Sequence, residues 1–229
     1  MGLYLNVKKT KVMTTASNGT VHITIDNEDF ESVQDFLFLR SKIDRGGDSG
    51  PEVKQRIALG RSAMQGMEKI WKSKDISIAT RTRMINAIVF LISTYACESW
   101  MLKKGDKRKI DAFELWVWRR MLRVPWTAMV TNKTILERIK SKGSLEGKIT
   151  KQQLSYFGHI MRANSLETAL MLSKVSGLRR RGRQRTRWLD TIKADTNMNM
   201  KDLKEAVRDR EAWKKTIHKV TKSRPRLNG

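Results

Sequence analysis

The sequence predicts an α+β fold that is mostly α-helical, and three observations predict it. Apolar residues recur at every second position in residues 1–45, as they do in strands. They recur at helical spacing in residues 46–125. Residues 126–229 combine shorter amphipathic segments with an arginine-rich loop. We therefore expect, in that order, a small antiparallel strand patch, a helical bundle and a basic helical C-terminal domain.

The N-terminal patch is expected to contain three strands, near residues 3–7, 20–25 and 34–40. In each of them the apolar side chains share one parity, so they face one side of a sheet. The polar tripeptide Asp26-Asn27-Glu28 predicts a turn. Three strands without a covering helix are not stable alone. We therefore expect the patch to lean on another part of a protein.

The bundle is expected to begin after a glycine-rich linker. Pro51 suits the first turn of a helix, and Ser49 or Gly50 suits its N-terminal cap. From Val53 to Trp71 the apolar residues step by four and three, which places a single apolar seam on this helix.

Two further helices are expected in the bundle. Residues 78–96 are apolar on two adjacent seams, which is typical of a central helix. The third helix, about 105–123, has its apolar residues on two sides and leaves Arg119 and Arg123 facing outward. Pro125 ends it.

Four tryptophans lie among apolar residues at helical spacing: Trp71, Trp116, Trp118 and Trp126. Core packing is expected for them rather than stacking on nucleobases. Cys97 is expected to be a small buried hydrophobe rather than a nucleophile.

The C-terminal domain is expected to contain short amphipathic helices near residues 131–140, 146–162 and 165–173, and two or three more around 187–195, 200–208 and 209–220. The loop at 179–187 interrupts them. Six of its nine residues are arginine and none is acidic.

The charge of the chain is unevenly distributed. Residues 1–60 hold eight basic and eight acidic residues, so the whole net charge of +24 lies in residues 61–229. Such a surplus repels itself unless a polyanion neutralises it, and nucleic acid is the commonest such partner. A membrane surface is the rival, but it requires a basic helix with a free apolar face. The predicted helices use their apolar faces on one another, which favours RNA or DNA.

The residue inventory excludes several function classes. One cysteine forms no internal disulfide, and three scattered histidines do not make a structural zinc site. No phosphate-cradling glycine string, no histidine in a glycine-rich elbow and no Asp-Asp dipeptide occurs. We therefore expect no catalysis by this chain alone, and no resident metal or cofactor. No segment predicts a membrane span or a secretion signal, so the expected location is the nucleus or the cytoplasm.

The arginine-rich loop is the strongest binding signal. Arginine grips phosphate with two parallel donors, and Gly182 lets the backbone follow a groove. Trp188 either stacks on a base or anchors the loop. A nuclear-import patch or a solvated loop remains the alternative. A second basic run, Lys103–Lys109, is either exposed to solvent or a contact for a partner.

Several strings occur in an order that resembles the reverse transcriptases of non-LTR retrotransposons (LINE elements), in particular the RTE clade. The N-terminal string is similar to the late palm motif, the second to the primer-grip hairpin, and the others to the thumb and C-terminal region. The strings are Gly2-Leu3-Tyr4-Leu5-Asn6-Val7-Lys8-Lys9-Thr10-Lys11, Phe36-Leu37-Phe38-Leu39-Arg40-Ser41, Tyr95-Ala96-Cys97-Glu98-Ser99-Trp100, Ile110-Asp111-Ala112-Phe113-Glu114 with Trp118-Arg119-Arg120, Phe157-Gly158-His159, Gly182-Arg183-Gln184-Arg185-Thr186-Arg187-Trp188-Leu189 and Asp209-Arg210-Glu211-Ala212-Trp213.

The resemblance implies a truncated protein: residues 1–45 are a palm remnant, 46–125 a thumb-like bundle and 126–229 the basic C-terminal domain. The endonuclease, the fingers and the catalytic Asp-Asp pair of the family are absent, and magnesium would be needed only by that missing palm. Lys9 matches the motif lysine near the departing pyrophosphate. Arg40 stands where the family has glycine, and a positive φ there would strain it by about 1 kcal/mol or more.

The preferred function is therefore a nucleic-acid-binding fragment of such a reverse transcriptase, with RNA, DNA or their hybrid as partner. One alternative is the C-terminal portion of an RNA-directed DNA polymerase that becomes active when the missing palm and fingers are supplied. Another is the non-functional product of a decayed element. Lys54, Arg61 and Lys72 share a helix face that fits a template–primer duplex. All candidate contacts are Lys8, Lys9, Lys11, Phe38, Leu39, Arg40, Lys54, Arg61, Lys72, Arg179, Arg180, Arg181, Arg183, Arg185, Arg187 and Trp188.

Overall fold

The fold is 65% helical with a few short strands, which confirms the predicted α+β class in which helix predominates. The chain divides into two compact units, Met1–Gln55 and Arg56–Gly229, and the division falls within the first helix. The computed structural model describes residues 5–14, 22–140, 143–163, 166–172 and 186–222.

The first unit contains short strands that pair two by two. The first and fourth pair in parallel, while the second and third, and the fifth and sixth, form antiparallel hairpins. The parallel pair departs from the predicted all-antiparallel patch. The strands are β1 Lys11–Val12, β2 Thr24–Ile25, β3 Glu28–Asp29, β4 Glu31–Ser32, β5 Asp35–Phe38 and β6 Ser41–Asp44.

The prediction of a strand at 3–7 is wrong for residues 5–7, the part of it that the structure describes, because Asn6 starts a turn there. The Asn6 carbonyl accepts hydrogen bonds from the amides of Lys9 (3.0 Å) and Thr10 (2.9 Å). Its side-chain oxygen accepts a second bond from the Lys9 amide at 3.2 Å. An asparagine that bonds its own backbone in this way competes with strand pairing. The strand predicted at 20–25 is reduced to its last two residues within the described part.

Two tight turns shape the hairpins of the first unit. Asp26 and Asn27 have φ of 54° and 62°, which confirms the predicted turn, and both residue types tolerate this region. The strand predicted at 34–40 instead reverses at Leu39 and Arg40, whose φ values are 47° and 63°. Two successive positive φ values belong to the type I′ hairpin turn, where glycine and asparagine are preferred. Arg40 therefore has the positive φ that was expected to strain a non-glycine residue at this position.

Eleven α-helices lie in the described part of the chain, with a π-helical turn at Ile85–Val89 and 3₁₀ turns at Cys97–Ser99 and Trp126–Ala128. The helices are α1 Gly50–Gly66, α2 Glu68–Lys72, α3 Ile78–Met84, α4 Phe90–Ser93, α5 Lys104–Met121, α6 Asn132–Ile139, α7 Leu145–Ala163, α8 Leu166–Leu172, α9 Trp188–Thr196, α10 Met200–Arg208 and α11 Arg210–Lys222.

Helix α1 begins where the sequence predicts. The Ser49 carbonyl accepts the first helical bond from the Val53 amide at 2.9 Å. The predicted seam is buried at Val53 and continues past a break before α2 to Trp71. At Gly60 a Cβ atom would lie 2.1 Å from the Ser93 Oγ, so glycine is what allows α1 to approach α4 this closely.

The segment at 78–96 is less central than predicted. Ile85 and Val89, which lie on one predicted seam, are fully buried. Leu91 is 62% and Tyr95 46% exposed, so the other predicted seam, which contains these two residues, faces solvent there. The π-helical turn adds a residue to one turn of the helix and rotates the later apolar positions out of α-helical phase. The helix also ends at Ser93, before the seam is complete.

Helix α5 supplies the centre of the bundle. Phe113 and Trp118 are buried, and both rings contact Phe90 edge-on, at 6.4 and 5.1 Å between centroids. The buried Glu114 carboxylate accepts bonds from the Trp118 indole (3.1 Å) and the Leu145 amide (2.8 Å). Because Leu145 is the first residue of α7, this carboxylate ties α5 to the start of α7.

The C-terminal helices lie within two residues of their predicted bounds and enclose a second core. Trp213 is its largest member; its indole donates to the Leu154 carbonyl at 3.0 Å and its ring contacts Phe157. A Cβ atom at Gly158 would lie 2.4 Å from the Trp213 Nε1, so glycine is needed there. The core residues are Leu154, Phe157, Ile192, Leu203, Val207, Trp213 and Ile217.

Candidate nucleic-acid interface

A groove of about 650 Å³ opens between α3, α6, α7 and α11. Five lysine and arginine side chains and one histidine line it, and none of its lining residues is Asp or Glu. We name it the basic groove. Its titratable lining residues are Arg83, Lys140, Lys148, Lys151, Lys222 and His218.

Two local features of the backbone shape the basic groove: a close approach at Gly147 and a helix cap at Lys140. A Cβ atom at Gly147 would make a tight contact of 3.2 Å with the Ser144 Oγ and an ordinary contact of 3.6 Å with the Thr221 carbonyl, so the start of α7 lies close to the end of α11. Lys140 is the C-terminal cap of α6 in the left-handed region, with φ of 52°. Glycine is the usual residue at such a cap, because a side chain there is strained.

Lys148 is the most perturbed cation of the groove. Its ammonium lies 4.9 Å from the centroid of the Phe90 ring and donates a hydrogen bond to the Asn86 side-chain oxygen. Burial lowers the pKa of this ammonium below its ordinary value, and the charge of Glu114 partly opposes that shift. Lys148 as a whole residue is nevertheless exposed, so its ammonium lies beside the aromatic ring while the side chain keeps contact with solvent.

A second hollow, of about 600 Å³, adjoins the basic groove. The two share Asn86, Lys148 and Lys151. Two partly exposed apolar side chains, Leu91 (62% exposed) and Tyr156 (39% exposed), line the second hollow together with Glu98. Unlike the basic groove, the second hollow therefore has a carboxylate among its lining residues.

A separate basic surface lies on α1, α2 and α5. The Trp116 ring stacks on the Phe113 ring at 6.2 Å between centroids, and two guanidinium groups lie near it, that of Arg61 at 5.5 Å and that of Arg120 at 5.8 Å. Arg119 lies 5.2 Å from the Trp126 ring. We name this surface the Arg–Trp face; it comprises Arg61, Lys72, Trp116, Arg119, Arg120, Arg123 and Trp126.

Two of the predicted contacts on the first helices meet on the Arg–Trp face. Arg61 reaches it through Trp116, and Lys72 lines a hollow of about 280 Å³ with Arg120 and others. Lys72 is also paired with Glu68 at 3.1 Å, and the hydrogen bond from Lys72 lowers the pKa of that carboxyl. Lys54 is exposed and belongs to the first unit.

The other predicted contacts of the first unit lie in two places. Lys8 and Lys9 are exposed on the turn that Asn6 forms, while Lys11 is paired with Glu31. The remaining three are exposed at the tip of the second hairpin, where Phe38 is 55% and Leu39 71% accessible. Arg40 completes that tip.

The arginine-rich loop is described only at its end. Arg179, Arg180, Arg181, Arg183 and Arg185 lie outside the described residues. Arg187 is exposed at the start of α9, and its amide donates to the Asp190 carboxylate at 2.8 Å. The Trp188 indole donates to the Glu98 carbonyl at 3.0 Å, and its ring contacts Phe157 at 6.2 Å. These contacts favour the anchoring alternative for Trp188 over base stacking.

Three predictions about the aromatic and basic residues of the bundle are wrong. Trp126 is 82% exposed, because the 3₁₀ turn after Pro125 moves its indole off the helical phase of α5. Trp116 packs on the buried Phe113 ring at 6.2 Å but is only half-buried, since it lies at the edge of the bundle near Arg61. Arg119 does not face outward; its guanidinium donates to the Val130 carbonyl (2.6 Å) and to the Asn132 side chain (3.1 Å).

Other predictions are confirmed. Trp71 and Trp118 are buried. Cys97 is fully buried, its thiol donates to the Gln152 side-chain oxygen at 2.8 Å, and burial raises its pKa to about 12. In the second basic run, Lys107 pairs internally with Glu146 at 3.0 Å and with Asp195 at 3.7 Å.

Sequence reasoning missed the basic groove. Its cations come from α3, the end of α6, α7 and the end of α11, so they form no run in the sequence. The sequence carries a local signal only for two pairs, Lys148 with Lys151 and His218 with Lys222, because residues three or four apart share a helix face.

Among the described residues, no group of three or more His, Cys, Asp or Glu side chains is arranged to hold a metal ion. No helix in the same part of the chain combines the length and the hydrophobicity that crossing a bilayer requires. Comparison with known protein families, with curated proteins and with solved structures found no match to this chain. The resemblance to retrotransposon reverse transcriptases therefore stays a prediction.

Proposed function

We propose that this chain binds nucleic acid through its phosphates, and that the basic groove is the principal contact. One observation carries the proposal: five cations and a histidine converge from four helices, with no carboxylate among the lining residues. Like charges that are gathered in this way repel one another. A polyphosphate strand relieves that repulsion and gains free energy from the counterions it releases.

Two further features support the groove as a binding site rather than a solvated surface. Lys148 is held over an aromatic ring, where burial disfavours its charge. Lys140 occupies a cap position at which lysine is strained and glycine is not. Both features reduce stability in the free protein. A phosphate beside these ammonium groups would offset the loss of stability at Lys148. A binding role would therefore explain why a lysine stands at this position.

In its fuller form the proposal includes the origin that the resemblance implies. The chain is then a catalytically incomplete fragment of a retrotransposon reverse transcriptase, in the nucleus or the cytoplasm, with RNA, DNA or their hybrid as partner. The loop at 179–187 adds phosphate contacts to those of the groove. On this reading the groove and the loop act together in the second unit.

The polymerase alternative depends on one observation in the first unit. Phe38 and Leu39, which resemble the primer grip, are exposed at a hairpin tip rather than packed. A primer-extension assay with magnesium separates the two proposals. Incorporation by this chain alone would contradict a binding role without catalysis, and incorporation only after a palm is added would support the alternative.

The basic groove is tested by the salt dependence of binding to a labelled oligonucleotide. Removal of three groove cations is expected to reduce the slope of log K against log salt by about 2 to 3, since each phosphate contact contributes about 0.7 to 0.9. Three exposed lysines outside the groove provide a control with the same charge change. The groove variant is Arg83→Gln with Lys151→Gln and Lys222→Gln, and the control is Lys201→Gln with Lys204→Gln and Lys215→Gln.

The comparison of the two triple variants decides the result. A loss of slope in the groove variant alone supports the proposal. Equal losses in both variants would show that net charge, and not the groove, determines binding. An unchanged slope in the groove variant would remove the groove from the binding surface.

A further inference from the structure

An exposed tryptophan stands on the connection between α5 and α6. Trp126 is 82% and Met129 90% accessible, although both are large apolar residues. A tryptophan in water exposes an area that ordinarily packs in a core or against a partner. Trp126 is therefore the most conspicuous apolar group on the Arg–Trp face.

The connection that carries Trp126 is fixed at both ends. The Arg119 guanidinium lies 5.2 Å from the indole ring and donates to the Val130 carbonyl at 2.6 Å. The Val124 amide donates back to the Arg119 carbonyl at 3.0 Å. The backbone around Trp126 is thus tied to α5, with Arg119 beside the indole and most of the indole surface open.

The surroundings of Trp126 are cationic. A hollow of about 530 Å³ beside the indole contains Arg119 and Lys133, and its lining residues include no Asp or Glu. Arg119 also lines the neighbouring hollow with Arg120 and Arg123. Glu68 is the one carboxylate that lines this hollow of about 280 Å³, and it is paired with Lys72.

We propose that Trp126 stacks on an unpaired nucleobase, so that the chain prefers single strands to blunt duplexes; this inference rests on the proposed function. A nucleobase offers a flat π face to the indole, and the phosphates of the same strand suit the surrounding cations. A base inside a duplex is stacked on both faces and is not accessible. A lipid surface would require a wider apolar patch than Trp126 and Met129 provide.

Helix α6 connects this site to the basic groove. It begins at Asn132, beside the Trp126 hollow, and it ends at Ile139, which lines the groove with Lys140. An eight-residue helix is about 12 Å long. One strand can therefore place a base on Trp126 and run its phosphates along the groove.

The test measures the affinity for a labelled single strand of about 12 nucleotides, within the usual site size, and for the blunt duplex of the same length. Trp126→Ala is expected to weaken single-strand binding about 5- to 50-fold, because it removes one stacked base. Duplex affinity and the salt slope should not change. Trp126→Tyr should retain most of the single-strand affinity, since tyrosine also stacks.

Leu166→Ala is the matched control, because Leu166 is likewise a large apolar residue of the second unit and is 72% exposed. It should leave both affinities unchanged. Thermal unfolding of each variant confirms that the exposed substitutions leave the fold intact.

The outcomes separate this inference from the proposed function. If the wild-type chain binds neither oligonucleotide, the proposed function fails. If the groove variant loses binding while Trp126→Ala binds as the wild type does, the groove stands and the stacking inference is overturned. Equal weakening of single-strand and duplex binding by Trp126→Ala also overturns it, because a stacked base requires a preference for unpaired strands.

Discussion

The two compact units of this chain differ in how much apolar surface they bury. In the described part of the first unit only Phe30 and Val53 are buried apolar residues, and Val53 already belongs to α1. The hairpin residues Leu37 and Phe38 are more than half exposed. The second unit buries continuous apolar seams on α5 and α7.

This difference shows where the stability of the chain resides. Strands of two to four residues with exposed side chains gain little free energy from burial. Helices that pack tryptophan and phenylalanine against one another gain much more. The strand unit therefore contributes less to the stability of the chain than the helical unit does.

The largest expected effect is on the second core. Trp213→Ala removes a side chain that is 2% exposed and leaves a cavity beside Phe157 and Gly158. It is expected to lower the free energy of unfolding by about 3 to 5 kcal/mol. Chemical denaturation followed by circular dichroism measures the change.

Phe38→Ala is the counterpart in the strand unit. Because Phe38 is 55% exposed, its removal should change the free energy of unfolding by less than about 0.5 kcal/mol. Comparable losses in the two variants would contradict the comparison, since they would show that the hairpin contributes to the same cooperative core.

A smaller effect is expected at the turn of the second hairpin. Arg40 has φ of 63°, so Arg40→Gly relieves backbone strain and should stabilise the hairpin by up to about 1 kcal/mol. Asn27→Gly is the control, because asparagine already tolerates its φ of 62°. Slower hydrogen exchange of the paired amides in β5 and β6 would report the gain. Faster exchange would show that the contacts of the arginine side chain outweigh the strain.

The helices were predictable from the sequence because their apolar spacing is long and regular. The bounds of α6, α7 and α10 follow from that period to within two residues. The strands were less predictable, since parity over three residues does not distinguish a strand from the turn that Asn6 forms. The helical period of apolar residues also holds only while the helix is regular. The π-helical turn at Ile85–Val89 shifts that period, so Leu91, which the period predicts to be buried, is exposed.

The candidate site was only partly predictable. Arg61 and Lys72 share a face that the helical period shows. The position of Trp126 depends on a 3₁₀ turn that no spacing indicates. The basic groove depends on tertiary packing, because the Arg83 and Lys222 that line it are far apart in the chain.

The smallest expected effect is the pH dependence that Lys148 adds to the second unit. Its pKa is lowered in the folded chain relative to the ordinary 10.5, so between these two values the unfolded chain binds more protons. The contribution of Lys148 to stability therefore rises with pH through that window and is fully unfavourable below it.

Lys148→Met keeps the length of the side chain and removes the charge that burial disfavours, although it also loses the bond to Asn86. As the pH rises towards 10.5, the stability difference between wild type and variant should therefore shift in favour of the wild type, as measured by denaturation at each pH. A difference independent of pH would show that the ammonium is fully solvated. The same variant should bind oligonucleotides more weakly at neutral pH, because it removes one phosphate contact from the basic groove. Such a contact would explain why the chain keeps a lysine that reduces its stability.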